Sequence, residues 1–174
     1  MSCIHWADVD SPVGSLKVAS SAVGLAYIEL PHASGRGFRG WVKSYAAESA
    51  TRESLEPNRA AIEQLLEFLK GKRQRFDLPL DLRATEFQRS VYEQLQKIPY
   101  GESRSYGEIA RSLGRPNAHR AVGAANGANP LPFVIPCHRV IASGGQLHGY
   151  AGGTALKARL LAMESSGPAP GRLL

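Results

Sequence analysis

The chain changes its hydrophobic period part-way along, and that change restricts it to a mixed architecture. Residues 5–9, 15–20 and 24–30 alternate as strands do, with turns at Ser11-Pro12-Val13-Gly14 and Ala22-Val23-Gly24 between them. A glycine-rich polar stretch, 34–40, is expected to be a loop. Pro57 then opens a helix with Ile62, Leu65, Leu66 and Leu69 on one face, and Gly71 stops it. Residues 72–83 have no period and read as a connector. Beyond them almost every apolar run has helical spacing. The expectation is an α+β chain of two domains, with strand-rich α/β at 1–80 and a mostly helical domain at 81–174.

The second half carries readable helix signals. Thr85 with Gln88, and Ser105 with Glu108, each have capping-box spacing. Phe87, Val91, Leu95 and Ile98 form the apolar stripe of the first of these helices, which Pro99-Tyr100-Gly101 breaks. The second runs through Leu113 and closes at Gly114, and Asn117 is placed to cap a third over 118–126. Two short helices joined by a tight glycine-containing turn predict a helix-turn-helix unit, although many helical pairs of this kind never touch DNA. The third helix has almost nothing large after its first turn, and Arg120 sits near its positive end. Close helix packing explains the small residues; it does not explain an arginine where the helix field already favours an anion. The last helix starts at Thr154 and carries Leu156, Leu160, Leu161 and Met163, with a frayed tail over 167–171.

Charge is unevenly spread. Residues 1–80 hold 10 Lys and Arg against 9 Asp and Glu, whereas 81–174 hold 11 against 6. From Arg104 to Arg139 there are five arginines and one acid, Glu108. Such a surface suits a polyanionic partner, or serves solubility alone. No run of 18 apolar residues exists and the start is no secretory signal, so neither a membrane span nor export is expected. Two cysteines make a poor disulfide framework, and a reducing cytoplasm with Cys137 free is the simplest reading.

Val134-Ile135-Pro136-Cys137-His138-Arg139-Val140 sets a cysteine beside an imidazole and a guanidinium, groups able to raise its thiolate fraction. A buried, inert cysteine is the alternative. Glu164 prolongs the apolar stripe of the last helix near that helix's negative end, a place that calls for a cationic partner. A Cys–His–Glu relay would supply one; a solvated glutamate at a fraying end would not need one. Between these segments, 143–153 is a glycine-rich loop around Tyr150, without the spacing of a phosphate loop.

With these residues in view, the chain resembles the O6-alkylguanine-DNA alkyltransferases, the methylated-DNA–protein-cysteine methyltransferases. The likeness covers 85–164: Pro-Tyr-Gly-Glu at 99–102, Ser-Tyr-Gly-Glu-Ile-Ala at 105–110, Arg-Ala-Val-Gly at 120–123, Asn-Pro at 129–130, Pro-Cys-His-Arg-Val at 136–140, Gly-Tyr-x-Gly-Gly at 149–153 and Leu-Leu-x-x-Glu at 160–164. The resemblance implies an RNase H-like N-terminal domain and a winged-helix-like DNA-binding domain that accepts the alkyl group. It further implies that Cys137 takes the alkyl group of O6-alkylguanine permanently. His138 is then the base through a water, Glu164 stands behind it, and Asn129 ties the active-site turn. Tyr106 crowds the adjacent phosphate and donates to the flipped base, while Arg120 fills the gap in the stack. The carbonyls of Cys137 and Val140 accept from the exocyclic amine, the Ala151 amide donates to O6, and Tyr150 walls the pocket. Gln88, Gly107, Arg115 and Ser143 stand where relatives touch the DNA backbone. The implied partner is double-stranded DNA met by a monomer, with clustering along DNA and repair of O4-alkylthymine left open. No cofactor is implied, and Cys3, His5 and His32 do not complete the zinc site that some relatives carry. The competing readings are a non-catalytic module that flags alkylated DNA and a Cys–His hydrolase.

Overall fold

The computed structural model describes residues 2–33, 35–147 and 149–166. It divides into two compact units, Met1–Arg83 and Ala84–Leu174.

The first unit is built on a four-stranded sheet. Strands β1 (Cys3–Ser11), β2 (Gly14–Ser20), β3 (Leu25–Glu29) and β4 (Ala50–Glu53) lie in the order β3-β2-β1-β4. β1 and β2 pair antiparallel up to Ser11 opposite Gly14, and β4 joins β1 in parallel. Two helices accompany the sheet, α1 (Gly37–Tyr45) and α2 (Arg59–Leu69). Trp41 of α1 is buried with Ile4, Ala19, Ala26 and Ala46, and Trp6, Tyr27, Phe38 and Val42 pack around them.

Helix α1 corrects the loop expected over 34–40, since its first turn begins at Gly37. It has no side-chain cap of its own. The amide of Phe38 donates instead to Glu29 at the end of β3, 2.6 Å away. Gly37 takes φ +61° there, and a β-carbon on it would come within 2.5 Å of the same carboxylate. Pro57 falls in a 3-10 turn, Glu56–Asn58, just ahead of α2. Residues 72–83 are aperiodic, but the segment is pinned to β3: Leu25 donates to Pro79 and accepts from Asp81 through its backbone. The Asp81 carboxylate accepts from Ser21 and from Arg83, and Arg83 also donates to the Tyr45 carbonyl. Backbone pairing, invisible to periodicity, keeps this segment within the first unit.

The second unit holds α3 (Glu86–Gln96), α4 (Tyr106–Ser112), α5 (His119–Gly127) and α6 (Thr154–Ser165). A two-residue parallel ladder joins β5 (Arg104–Ser105) to β6 (Val140–Ile141). Both capping boxes are present, Thr85 with Gln88 and Ser105 with Glu108. Asn117, by contrast, caps nothing: the residue ahead of α5 is Ala118, whose amide closes a turn onto the Arg115 carbonyl. The Tyr92 hydroxyl donates to the Ala125 carbonyl at 2.8 Å and fixes α5 against α3. Among the described residues no helix is long and apolar enough to cross a membrane. The frayed tail expected over 167–171 lies outside the described residues.

Candidate active site

Cys137 opens a 3-10 turn, Cys137–Arg139, directly after Pro136. The loop that delivers it is braced by Asn129, whose Oδ1 accepts from the Leu131 amide at 2.9 Å. The same side chain's Nδ2 donates to the Ile135 carbonyl at 2.8 Å. Within that loop Phe133 buries its ring at φ +73°, a conformation a bulky residue holds only when its surroundings impose it. Asn126, in the last turn of α5, donates from Nδ2 to the Cys137 carbonyl at 3.3 Å.

Behind the cysteine lies a buried polar network. His138 Nε2 is 2.7 Å from Glu164 Oε1. Arg139 donates Nε to Glu164 Oε2 and Nη2 to Oε1, both at 2.8 Å, and its Nη1 donates to the Ile98 carbonyl at 2.8 Å. The Gly101 amide adds a longer bond to Oε2 at 3.3 Å. His138, Arg139 and Glu164 are 0%, 6% and 2% exposed, so the glutamate is an anion held entirely by protein. Burial opposes its charge, but the hydrogen bonds and charges of His138 and Arg139 prevail and bring its pKa down to about 2. Burial acts on His138 in the other direction and lowers its pKa despite Glu164. A neutral imidazole beside a carboxylate puts its proton on Nε2 and its lone pair on Nδ1.

The cysteine itself departs from the sequence argument. Burial pushes its thiol up to about 11, against the pull of the Asn129 hydrogen bond, the Lys157 charge and backbone amides. Arg139, expected to favour the thiolate, is committed to Glu164 instead. The resting form is therefore a protonated, reserved nucleophile.

Two phenols share this region. The Tyr106 ring lies 3.9 Å from where a β-carbon on Gly123 would stand, so the small residues of α5 let this ring approach. Its hydroxyl would similarly meet a β-carbon on Gly149 at 3.4 Å. Burial, then the Cys137 charge, raises the Tyr106 pKa. The same causes, joined by Glu164, raise that of Tyr150, whose buried hydroxyl has no hydrogen-bond partner among the described residues. Val140 is fully buried in β6, and Ala151 is half-buried in the loop ahead of α6.

The remaining candidates lie outside this cluster. Arg120, the second residue of α5, is exposed, as are Arg115 and Ser143. The Arg115 guanidinium stands 5.7 Å from the Phe87 ring centroid. Gly107 is in the first turn of α4, and the Gln88 side chain is used in the cap of α3. Among the described residues no group of three or more His, Cys, Asp or Glu side chains gathers to hold a metal ion.

Residues 86–166 match the family model for the DNA-binding domain of 6-O-methylguanine DNA methyltransferase. The methylated-DNA–protein-cysteine methyltransferase of Mycolicibacterium paratuberculosis is 45% identical over 162 residues, 92% of either chain. The chain belongs to this methyltransferase family. The constitutive member from Bacillus subtilis is 41% identical over 162 residues, covering 92% of this chain and 94% of its own. Among solved structures, Mycobacterium tuberculosis OGT in complex with DNA superposes with a TM-score of 0.80 at 40% identity, across 97% of this chain and 98% of that one.

One residue of this methyltransferase's site escaped the sequence reading. Lys157 is fully buried in α6, with its Nζ 5.8 Å from the Tyr106 ring centroid. Its pKa is lowered by burial and raised by Cys137, so the two groups feel each other's charge. The signal was available: Lys157 stands seven residues before Glu164 and three before Leu160, on the stripe that marked Glu164. A lysine in an apolar stripe reads as a side chain that snorkels outward, and this one does not.

Proposed function

We propose that the protein repairs DNA by moving the alkyl group of O6-alkylguanine onto Cys137 in one irreversible displacement. The observation that carries the reading is the buried His138–Glu164 contact of 2.7 Å, locked by Arg139 immediately beside a buried cysteine. Such a relay has a proton acceptor ready and an anion to stabilise the imidazolium that forms. The sulfur bonds to the alkyl carbon, the carbon–O6 bond breaks, and its electron pair passes to the guanine. The thiol proton, taken through His138 and a water, ends on the departing base. A thioether is stable, so each molecule acts once.

A duplex hides O6 from any side chain, so the nucleotide must leave the stack at a cost of a few kcal/mol. Arg120 at the start of α5 is exposed, on a helix with almost nothing large after its first turn, which suits insertion into the gap. Tyr106, beside Gly123 and Gly149, suits crowding of the neighbouring phosphate and a hydrogen bond to the flipped base. In this reading the carbonyls of Cys137 and Val140 accept the exocyclic amine, the Ala151 amide donates to O6, and Tyr150 lines the pocket. Asn129 holds the loop in register. Gly107, Arg115, Ser143 and Gln88 are assigned to the DNA backbone, Gln88 through the backbone of its capped turn. The second unit thus binds DNA and accepts the alkyl group. Both cysteines are free, which fits a reducing cytoplasm.

Incubation with a duplex carrying O6-methylguanine tests this directly. The peptide containing Cys137 should gain the mass of one methyl group at one-to-one stoichiometry, and Cys137→Ser should gain none. Recovery of the unmodified peptide after saturation with the lesion would leave only a damage-binding role.

A further inference from the structure

A hollow of about 210 Å³ opens between the β5–β6 ladder and α4, lined by Ser103, Arg104, Ser105, Glu108, Arg111 and Ser143 among others. Its chemistry is unusual for a surface dent. Two arginines and three serines line it, against one glutamate. That carboxylate is already engaged: Glu108 accepts from the Ser105 amide at 2.7 Å in the capping box. Arg111 has no ion pair among the described residues. Its Nη1 lies 3.4 Å from where a β-carbon on Gly107 would be, so the guanidinium is drawn back over the first turn of α4. It occupies space that any larger residue at 107 would take. Arg104 is held loosely, donating to Glu102 at 3.4 to 3.5 Å and to the Ser103 carbonyl at 2.9 Å. An exposed pair of that kind is worth about 1 kcal/mol or less and yields readily to a better acceptor.

We propose that Arg104 and Arg111 form a phosphate subsite for the bound duplex. The assignment rests on the DNA-repair reading above, because the hollow adjoins Ser143 and Gly107, two positions there given to the DNA backbone. Neither arginine is among those positions; both extend the contact. A guanidinium fork matches a phosphodiester's paired oxygens, and serine hydroxyls can supply further donors. The shallow, open form suits a backbone lying across the surface rather than a free anion enclosed within it. It also gives a use to the basic excess between Arg104 and Arg139.

Counterion release makes the proposal quantitative. Each neutralised phosphate contributes about 0.9 to the slope of log affinity against log salt, so losing two contacts should flatten the slope by about 1.8. Binding of the full chain to an undamaged duplex, titrated with NaCl, is the measurement. Over a fourfold rise in salt the wild type should lose roughly 12-fold more affinity than R104A/R111A. R104K/R111K, which keeps the charge, should hold the wild-type slope, and so should R159A, at an exposed position of α6. An unchanged slope in R104A/R111A, or an equal drop in R159A, overturns the subsite. So does loss by R104A/R111A of reaction with free O6-benzylguanine, which would mean damage to the Cys137 site. Inorganic phosphate at matched ionic strength forms a second arm. Saturable competition with duplex, abolished in R104A/R111A, would make this a free-anion site and defeat assignment to the backbone. Wild-type protein that leaves Cys137 unmodified by lesion-bearing DNA refutes the underlying repair reading, independently of these slopes.

Discussion

At the scale of single residues the site separates what is stabilising from what is useful. Cys137 is protonated at rest because burial outweighs every neighbour that favours its thiolate. Lys157 is the one buried cation among those neighbours, and it is itself made uncomfortable by burial. Replacing it with methionine keeps the volume and removes the charge. Lys157→Met should therefore slow alkyl transfer from free O6-benzylguanine by about tenfold or more, since one pKa unit at the sulfur is a factor of ten in thiolate. The alkaline limb of the pH–rate profile should move to higher pH. A fall in melting temperature with an unmoved pH profile would mean that the lysine is structural. Cys137, His138 and Glu164 were legible because chemistry concentrates in few residue types and their helical spacing was regular. Lys157 was not, because burial of a lysine is decided by neighbours from α4 and from the Cys137 turn. Arg139 was misread for a related reason: adjacency in the chain says nothing about which way a long side chain turns.

Among the elements, those announced by local signals were readable and those set by distant partners were not. Both capping boxes close within four residues, so Thr85–Gln88 and Ser105–Glu108 could be found from spacing alone. Helix α1 has its acceptor on another element, Glu29, and starts at a glycine with positive φ, which in sequence looks like a loop. β4 was hidden likewise, since all four of its residues are exposed and it exists through pairing with β1. The remote cap has a measurable consequence. Gly37→Ala forces an L-residue into the left-handed region and pushes a methyl toward the Glu29 carboxylate. A destabilisation of about 1–2 kcal/mol is expected, the usual cost of that region for a residue with a β-carbon. Urea unfolding followed by tryptophan fluorescence reports it, because Trp41 lies on α1 and Trp6 packs beside it. Unchanged or increased stability would show that α1 does not depend on this start.

For the molecule as a whole, the buried network ties folding to pH. Glu164 has a folded pKa of about 2 against an ordinary 4.5, and His138 is shifted downward from 6.5. Both shifts mean that the unfolded chain binds more protons than the folded one, so stability must fall on acidification. The sign is the same for both groups and their windows follow in order. His138 begins to cost stability as pH drops below 6.5, because the unfolded imidazole protonates and the buried one resists. The Glu164 contribution is complete above 4.5 and disappears between 4.5 and about 2, with a size on the order of 3 kcal/mol. Both tryptophans lie in the first unit, so the helical circular dichroism signal is the appropriate probe for α3 to α6. Urea midpoints by that signal should decline progressively from pH 7 to pH 4, and more steeply below. Glu164→Gln should lower stability at pH 7 by about 3–5 kcal/mol, because Arg139 then carries a buried charge without its anion. The same variant should flatten the dependence below pH 4.5, having no carboxylate left to titrate there. A Glu164→Gln profile as steep as the wild type in that range would place the acid sensitivity elsewhere and remove the buried network as its source.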